Sequence, residues 1–198
     1  MKTKIILSIL FGITLASNTP LASEESDDEH YHHSLYNGKN LVLNAKGEAA
    51  AYPCQIPPTD RGTTDALCFN IPLYNLKNGQ IVGTLKDALT DFRINEAFPS
   101  GIIATVRSHF QFHDDDEHQL LVTGVIGSVQ PFLEASTSMT HLTGFIPNKG
   151  DNNVLDGTGR FQDRSGTVRE SGAVNLSKFT GKGGDVIGFD LIWVINFD

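Results

Sequence analysis

The sequence is short of three features: long apolar runs, positive charge and cysteine. Its longest apolar stretch, from Ile5 to Leu15, covers about eleven residues, whereas a transmembrane helix needs about 20. Lysine and arginine total 15 against 23 acidic residues, and the formal net charge is −8. We therefore expect no extended basic surface of the kind that binds nucleic-acid phosphates. These shortages argue against stable membrane insertion and against nucleic acid as a partner.

The first 23 residues have the layout of a secretory signal peptide. Lys2 and Lys4 precede the apolar stretch, which is followed by small and polar residues up to Ser23. Cleavage at Ala22 or Ser23 fits this layout, and cleavage after Ala16 is an alternative. We therefore expect residues 1–23 to be a signal peptide and the mature protein to be secreted or periplasmic.

The next segment, residues 24–38, is acidic and rich in histidine, with almost no apolar side chains to bury. Such a composition predicts a flexible tail. The remaining residues, 39–198, are enough for one hydrophobic core and few for two. We expect them to form a single domain.

The two cysteines, Cys54 and Cys68, are an even pair in a chain predicted to be exported. This favours a disulfide bond, with two buried free thiols as the alternative. Closing a loop of this size stabilises a fold by about 3 kcal/mol. The segment between the cysteines, rich in proline, glycine and threonine, is expected to be a restrained loop.

From about Leu67 onward the chain consists of short β-rich runs separated by glycine, asparagine, aspartate or proline. Helical periodicity is scarce, with one short helix predicted over Leu85 to Phe92. Sequential strands without helical crossovers predict an antiparallel meander, and closure removes its exposed edges. We therefore expect an all-β fold, a single closed antiparallel β-barrel of about eight strands, with a β-sandwich as the alternative.

Alternation of side chains assigns faces to two of these strands. In Ile102 to Phe112 the apolar row that includes Val106 and Phe110 is predicted to be buried. In Ile187 to Phe197 both faces are substantially apolar. If the interior covers one face, a second subunit is the natural cover for the other, so we expect a homo-oligomer, a dimer or a trimer.

The C-terminal segments resemble the allene oxide cyclase and dirigent β-barrel superfamily. A G-T-G-x-F opening followed by a small-residue turn and a G-x-V strand is typical of that family. The matching positions are Gly157, Thr158, Gly159, Phe161, Gly166 and Val168. Upstream, Val82-Gly83-Thr84 is similar to the family's early V-G-T strand.

The resemblance implies an eight-stranded barrel, often trimeric, with an apolar pocket that receives a small hydrophobic molecule. It also implies cyclisation of a reactive intermediate or stereochemical steering of radical coupling, with neither a metal nor an organic cofactor. Phe110, Val168 and Trp193 are then the predicted ligand contacts. The expected function is that of a cofactor-free isomerase or cyclase, or of a dirigent-like protein. A non-catalytic, lipocalin-like carrier and a structural or surface-associated protein are the alternatives.

Two carboxylates are the candidate catalytic residues. Glu170 shares a strand face with Val168 and Val174, so a cavity on that face would desolvate it and make it a general acid or base. An exposed position at the rim is the alternative. Asp190 is a second candidate, on the condition that its face, and not the row containing Trp193, points inward.

The histidines invite a metal interpretation that their context does not favour. His30, His32 and His33 lie in the predicted tail, and His113 and His118 flank an acidic turn. Neither context holds ligands at the fixed geometry that transition metals need. No metal site is predicted.

Overall fold

A computed structural model describes residues 38–59, 62–95, 98–113, 118–129, 139–146, 152–176 and 178–198. The predicted signal peptide lies outside the described residues, and so does the predicted tail apart from Gly38. Both stay predictions.

The protein is all-β, as expected from the sequence. Ten strands are present in the described part: β1 (Asn40–Ala50), β2 (Tyr52–Thr59), β3 (Gly62–Asn75), β4 (Ile81–Asn95), β5 (Phe98–Phe112), β6 (Gln119–Val129), β7 (Met139–Ile146), β8 (Val154–Gly157), β9 (Gly166–Asn175) and β10 (Val186–Phe197). The helix predicted over Leu85 to Phe92 is wrong, because this segment lies within β4. Its backbone pairs with β3 on one side and β5 on the other, and that pairing overrides the weak helical pattern.

All the strand pairings are antiparallel, and the strands follow the order β1-β10-β9-β7-β6-β5-β4-β3-β2. The short strand β8 pairs with β6 beside β7. The sheet curls so that β1 also meets β3, where Leu43, Asn44 and Ala45 lie opposite residues 73–75. The result is a half-barrel with one concave, interior face.

The closed barrel expected from the strand count is wrong. One edge of β3 pairs with β2 through residues 62–68 and with β1 through residues 73–75. Residues 69–72 lie between these two ladders and pair with neither. Pro72 has no N–H to donate to a ladder, which limits the contact between the two ends of the sheet to three residue pairs.

Apolar side chains from all sides of the curled sheet fill its concave face. Alternation along β10 places Phe189, Leu191 and Trp193 inside. This is one of the two orientations that the sequence left open for this strand. Trp193 meets Phe110 edge to face, with ring centroids 5.2 Å apart. Close packing of such rings is a main source of stability in a small β domain.

The G-T-G-x-F segment closes one end of this core. Phe161, in a single 3-10 turn (Gly159–Phe161), is buried against the rings of Phe112 and Phe197, with centroids 5.2 and 5.7 Å away. A Cβ atom on Gly157 would lie 2.3 Å from the Phe161 carbonyl oxygen. The absence of a side chain at Gly157 therefore allows the turn to fold back this closely. Local packing explains the glycine at this position of the motif.

Cys54 and Cys68 form the predicted disulfide bond, with a Cα–Cα distance of 5.9 Å. The segment between them is the β2–β3 hairpin and not an irregular loop, since Cys54 lies opposite Ala66 and Cys68 opposite Tyr52. A disulfide is compatible with an extracellular location. Within the described ranges, no helix has the length and apolar character needed to cross a membrane.

Candidate functional site

Asp87 lies on the interior face of β4, where its side chain is only 3% exposed. The register of β4 and β5 places it directly opposite Ser108, which is fully buried. Ser108 Oγ donates a hydrogen bond to Asp87 Oδ1. A carboxyl group is thus held in an apolar interior by one hydroxyl donor.

Glu170 enters the same interior from β9, on the other side of the curled sheet. Its side chain is also 3% exposed, and it lies opposite Trp193 of β10 in the strand register. Glu170 Oε2 has no hydrogen-bond partner in the part of the chain that the structure describes. Burying a polar atom without a partner costs about 1–3 kcal/mol, so this arrangement lowers the stability of the fold.

Burial raises the pKa of both carboxyl groups. The pKa of Asp87 rises to about 7, because desolvation outweighs the opposing effect of the hydrogen bond from Ser108. The pKa of Glu170 rises well above its ordinary value, first through desolvation and then through the negative charge of Asp87. Two acids that interact in this way titrate as a pair, and burial favours the protonated form of each.

Asp87 also lines a small apolar cavity at one end of the interior. The cavity volume is about 20 Å³, which is room for about one water molecule. Its walls include Phe69 and Leu89 and, from the connection after β9, Leu176 and Phe179. A carboxyl group with a raised pKa beside an apolar space, with a second acid nearby, can act as a general acid or a general base.

The structure separates the two predicted catalytic residues. Glu170 points inward, which is one of the two positions that the alternation along β9 left open, and lies near Asp87. The expectation of an inward Asp190 is wrong, because the row containing Trp193 fills the interior and leaves Asp190 on the outer face. There Asp190 accepts a hydrogen bond from Asn44 Nδ2 (3.0 Å) and forms an ion pair with Lys46 Nζ (3.1 Å). Its pKa is lowered, first by the hydrogen bond from Asn44.

The three predicted ligand contacts, Phe110, Val168 and Trp193, are all buried in the core. None of them lines the cavity beside Asp87. They pack against other side chains, and their role toward a ligand stays a prediction.

Sequence reasoning missed Asp87 and Ser108. The sequence contains a signal for Asp87, because this residue lies between Leu85 and Leu89 at a spacing of two residues. The same spacing indicated that Glu170 shares a face with apolar residues. The helix predicted for this segment concealed that period.

Other candidate features fall wholly or partly outside the described residues. His30, His32 and His33 lie outside the described residues. His113 and His118 are described, but residues 114–117 of the acidic turn between them are not. Among the residues that are described, no group of three or more histidine, cysteine, aspartate or glutamate side chains could hold a metal ion. Comparison of the chain with protein-family models, with curated proteins and with solved structures gives no match.

Proposed function

We propose that this protein binds a small hydrophobic molecule at the end of its half-barrel where Asp87 meets the apolar cavity. The carboxyl pair of Asp87 and Glu170 would then move a proton on the bound molecule, as a cofactor-free isomerase or cyclase of the allene oxide cyclase-like or dirigent-like kind. The observation that carries the proposal is the buried acid pair itself. A fold that retains an unpartnered carboxyl oxygen in its core gives up stability, and such sites are often functional.

The chemistry of the proposal is proton transfer without net oxidation or reduction. Deprotonated Asp87 removes a proton from one position of the bound molecule, and the resulting carboxylic acid returns a proton to another position. Glu170 lies nearby, and the negative charge of Asp87 raises the pKa of Glu170 and favours its protonated form. A pKa of about 7 suits this role, because proton transfer is most effective when the pKa lies near the working pH.

Entry of a ligand requires movement, since the cavity of about 20 Å³ is smaller than any hydrophobic metabolite. Leu176 and Phe179 are only partly buried and lie on the connection between β9 and β10. Outward displacement of this connection would enlarge the cavity without breaking a strand pairing. Asp87 would then face the ligand directly.

Native mass spectrometry of the freshly purified protein tests binding, by detecting a bound small molecule that denaturation releases. Leu176→Trp fills the mouth of the cavity and should abolish the bound mass. Lys178→Trp, an exposed position on the same connection, should retain it. Equal retention by both variants would contradict a ligand at this cavity.

Deuterium exchange tests the chemistry. The released molecule, returned to the protein in D₂O, should incorporate deuterium faster with the unaltered protein than with Asp87→Asn or Glu170→Gln. Equal rates with all three would leave binding without catalysis, which is the carrier function.

A second candidate, a structural or surface-associated protein, is favoured by the dense packing around Phe110 and Trp193. A protein of this kind needs no cavity that opens. Absence of any bound molecule, together with failure of the neutral dye Nile red to bind, would favour it over the first candidate.

The proposal includes export and self-association. On the outer face of the sheet, Val42 of β1 lies opposite Val194 of β10. Ile192, also on β10, is 40% exposed. A second copy packed on this apolar area would form the dimer or trimer expected from the sequence. Light scattering of the unaltered protein and of the Ile192→Asp variant measures the association. Determining the N-terminal residue of the mature protein tests cleavage near Ser23.

A further inference from the structure

A groove of about 190 Å³ lies on the outer face of the sheet, on the side opposite the carboxyl pair. Its floor is formed by outward-pointing residues of β4, β5 and β6, which alternate with the buried interior row. Gln55 and Ile56 of β2 form one wall, and residues 156–158, at the end of β8, form the other.

The disulfide bond holds the first wall in place. Ile56 lies two residues after Cys54, and the bonded partner Cys68 lies opposite Ala88 of the groove floor. The cross-link therefore joins β2, which carries this wall, to β3, the strand beside the floor.

Basic side chains gather on the floor of the groove. Lys86 lies opposite His109, and Arg107 lies opposite Ala88, so the two permanent cations are diagonal neighbours on one face. Adjacent like charges on a sheet are unfavourable unless a counter-charge is near. Lys86 has no ion-pair partner among the residues that the structure describes.

Other polar groups in the groove make contacts of their own. Gln119 Oε1 lies 2.7 Å from His109 Nε2 and fixes the orientation of the imidazole ring. Asp156 supplies the only carboxylate among the described lining residues, and its Oδ1 accepts a hydrogen bond from the Gly157 N–H at 2.8 Å. One carboxylate against Lys86 and Arg107 gives the described lining residues a formal charge of +1, with histidine counted as neutral.

The groove also has an apolar side. Ile56 and Leu121 line it together with Ala88, which is almost fully buried. A free phosphate or sulfate ion would use the cations and leave these side chains uncovered. A molecule that carries both an anionic group and an apolar body would use both.

We infer that this groove binds a small organic carboxylate, whose anionic group lies between Lys86 and Arg107 and whose apolar body packs against Ile56 and Leu121. The volume is below the roughly 300–1,000 Å³ of pockets for drug-sized ligands, so the ligand is about the size of one ring. The inference does not depend on the function proposed for the interior. The two sites lie on opposite faces of the sheet.

The experiment is an NMR titration of the full mature chain with benzoate, with its neutral isostere benzamide and with inorganic phosphate. Benzoate should produce saturable shifts of backbone amide signals in β4, β5 and β8, and its affinity should exceed that of benzamide and of phosphate at least about tenfold. Lys86→Gln should weaken benzoate binding about tenfold, as expected for loss of a charge-assisted hydrogen bond. Lys182→Gln, at an exposed position between β9 and β10, should leave it unchanged.

Each alternative result would overturn the inference. Equal affinity for benzamide would show that charge has no part in binding, and equal affinity for phosphate would show that the apolar wall has none. Benzoate binding that Lys86→Gln and Lys182→Gln weaken equally would reflect the overall charge and not this groove. Absence of saturable shifts would remove the site.

Discussion

The negative charge of Asp87 raises the pKa of Glu170, although the two residues lie on strands at opposite sides of the curled sheet. Curling alone brings β4 and β9 to face each other, because β7, β6 and β5 separate them in the sheet. The interaction is therefore a property of the tertiary fold. It also makes the fold sensitive to pH in a direction that can be measured.

The stability of the protein should fall as the pH rises from about 4 to about 7. Asp87 keeps its proton in the folded state up to a pKa of about 7, whereas the unfolded chain releases it near 3.8. The folded state therefore binds more protons in this window, and the free energy of unfolding decreases with pH by on the order of 4 kcal/mol. Glu170 acts in the same direction. Urea midpoints measured across this range test the prediction, and Asp87→Asn should flatten the profile.

Glu170→Gln should stabilise the protein at pH 8 and change little at pH 4. The amide resembles the protonated acid in shape and removes the cost of ionising a buried carboxyl group. Asp190→Asn is the matched control, because the pKa of Asp190 is lowered by its contacts with Asn44 and Lys46. That substitution should not stabilise at pH 8. Urea denaturation of both variants at the two pH values decides between these outcomes, and a destabilised Glu170→Gln at pH 8 would mean that the ionised carboxylate is favoured in the core.

Removal of the disulfide bond should lower the free energy of unfolding by about 3 kcal/mol, as expected for closure of a loop with a sequence separation of 14. Mass spectrometry should show a gain of two hydrogen atoms on reduction. Cys54→Ser/Cys68→Ser should unfold at a lower urea concentration than the oxidised protein and should not respond to reductant. Identical masses with and without reductant would contradict the bond.

Trp193→Ala should destabilise the fold by about 3–5 kcal/mol, because it removes a fully buried ring and its edge-to-face contact with Phe110. Ile192→Ala, next to it but 40% exposed, should cost less than about 1 kcal/mol. Thermal unfolding of the two variants gives the comparison. At a protein concentration where light scattering shows a monomer, similar losses would contradict the exposed position of Ile192 on β10.

The sequence predicted those features that depend on local alternation. The period-2 row of β5 identified its buried face. Along β10 both faces are apolar, so alternation left the inward face open, and for Glu170 it gave an inward position with an exposed rim position as the alternative. The disulfide bond followed from the even cysteine count and the predicted export. Closure of the barrel could not be predicted in this way, because it depends on whether β1 and β3 pair along their whole length, and Pro72 lies where that ladder is interrupted.

The sites formed by strands that are distant in the sequence could not be predicted from it. Asp87 lies in a segment with a weak helical pattern, so its partnership with Glu170 appears only when β4 and β9 face each other. The outer groove depends on β2 and β8 lying on either side of three central strands. Neither arrangement leaves a signature in consecutive residues.

The measurement that tests the acid pair most directly is an NMR titration of the side-chain carboxyl carbons of Asp87 and Glu170 between pH 3 and 9. We expect a midpoint near 7 for Asp87 and one well above 4.5 for Glu170, with each signal also responding to ionisation of the other residue. Two independent midpoints near 4, as in exposed carboxylates, would contradict it.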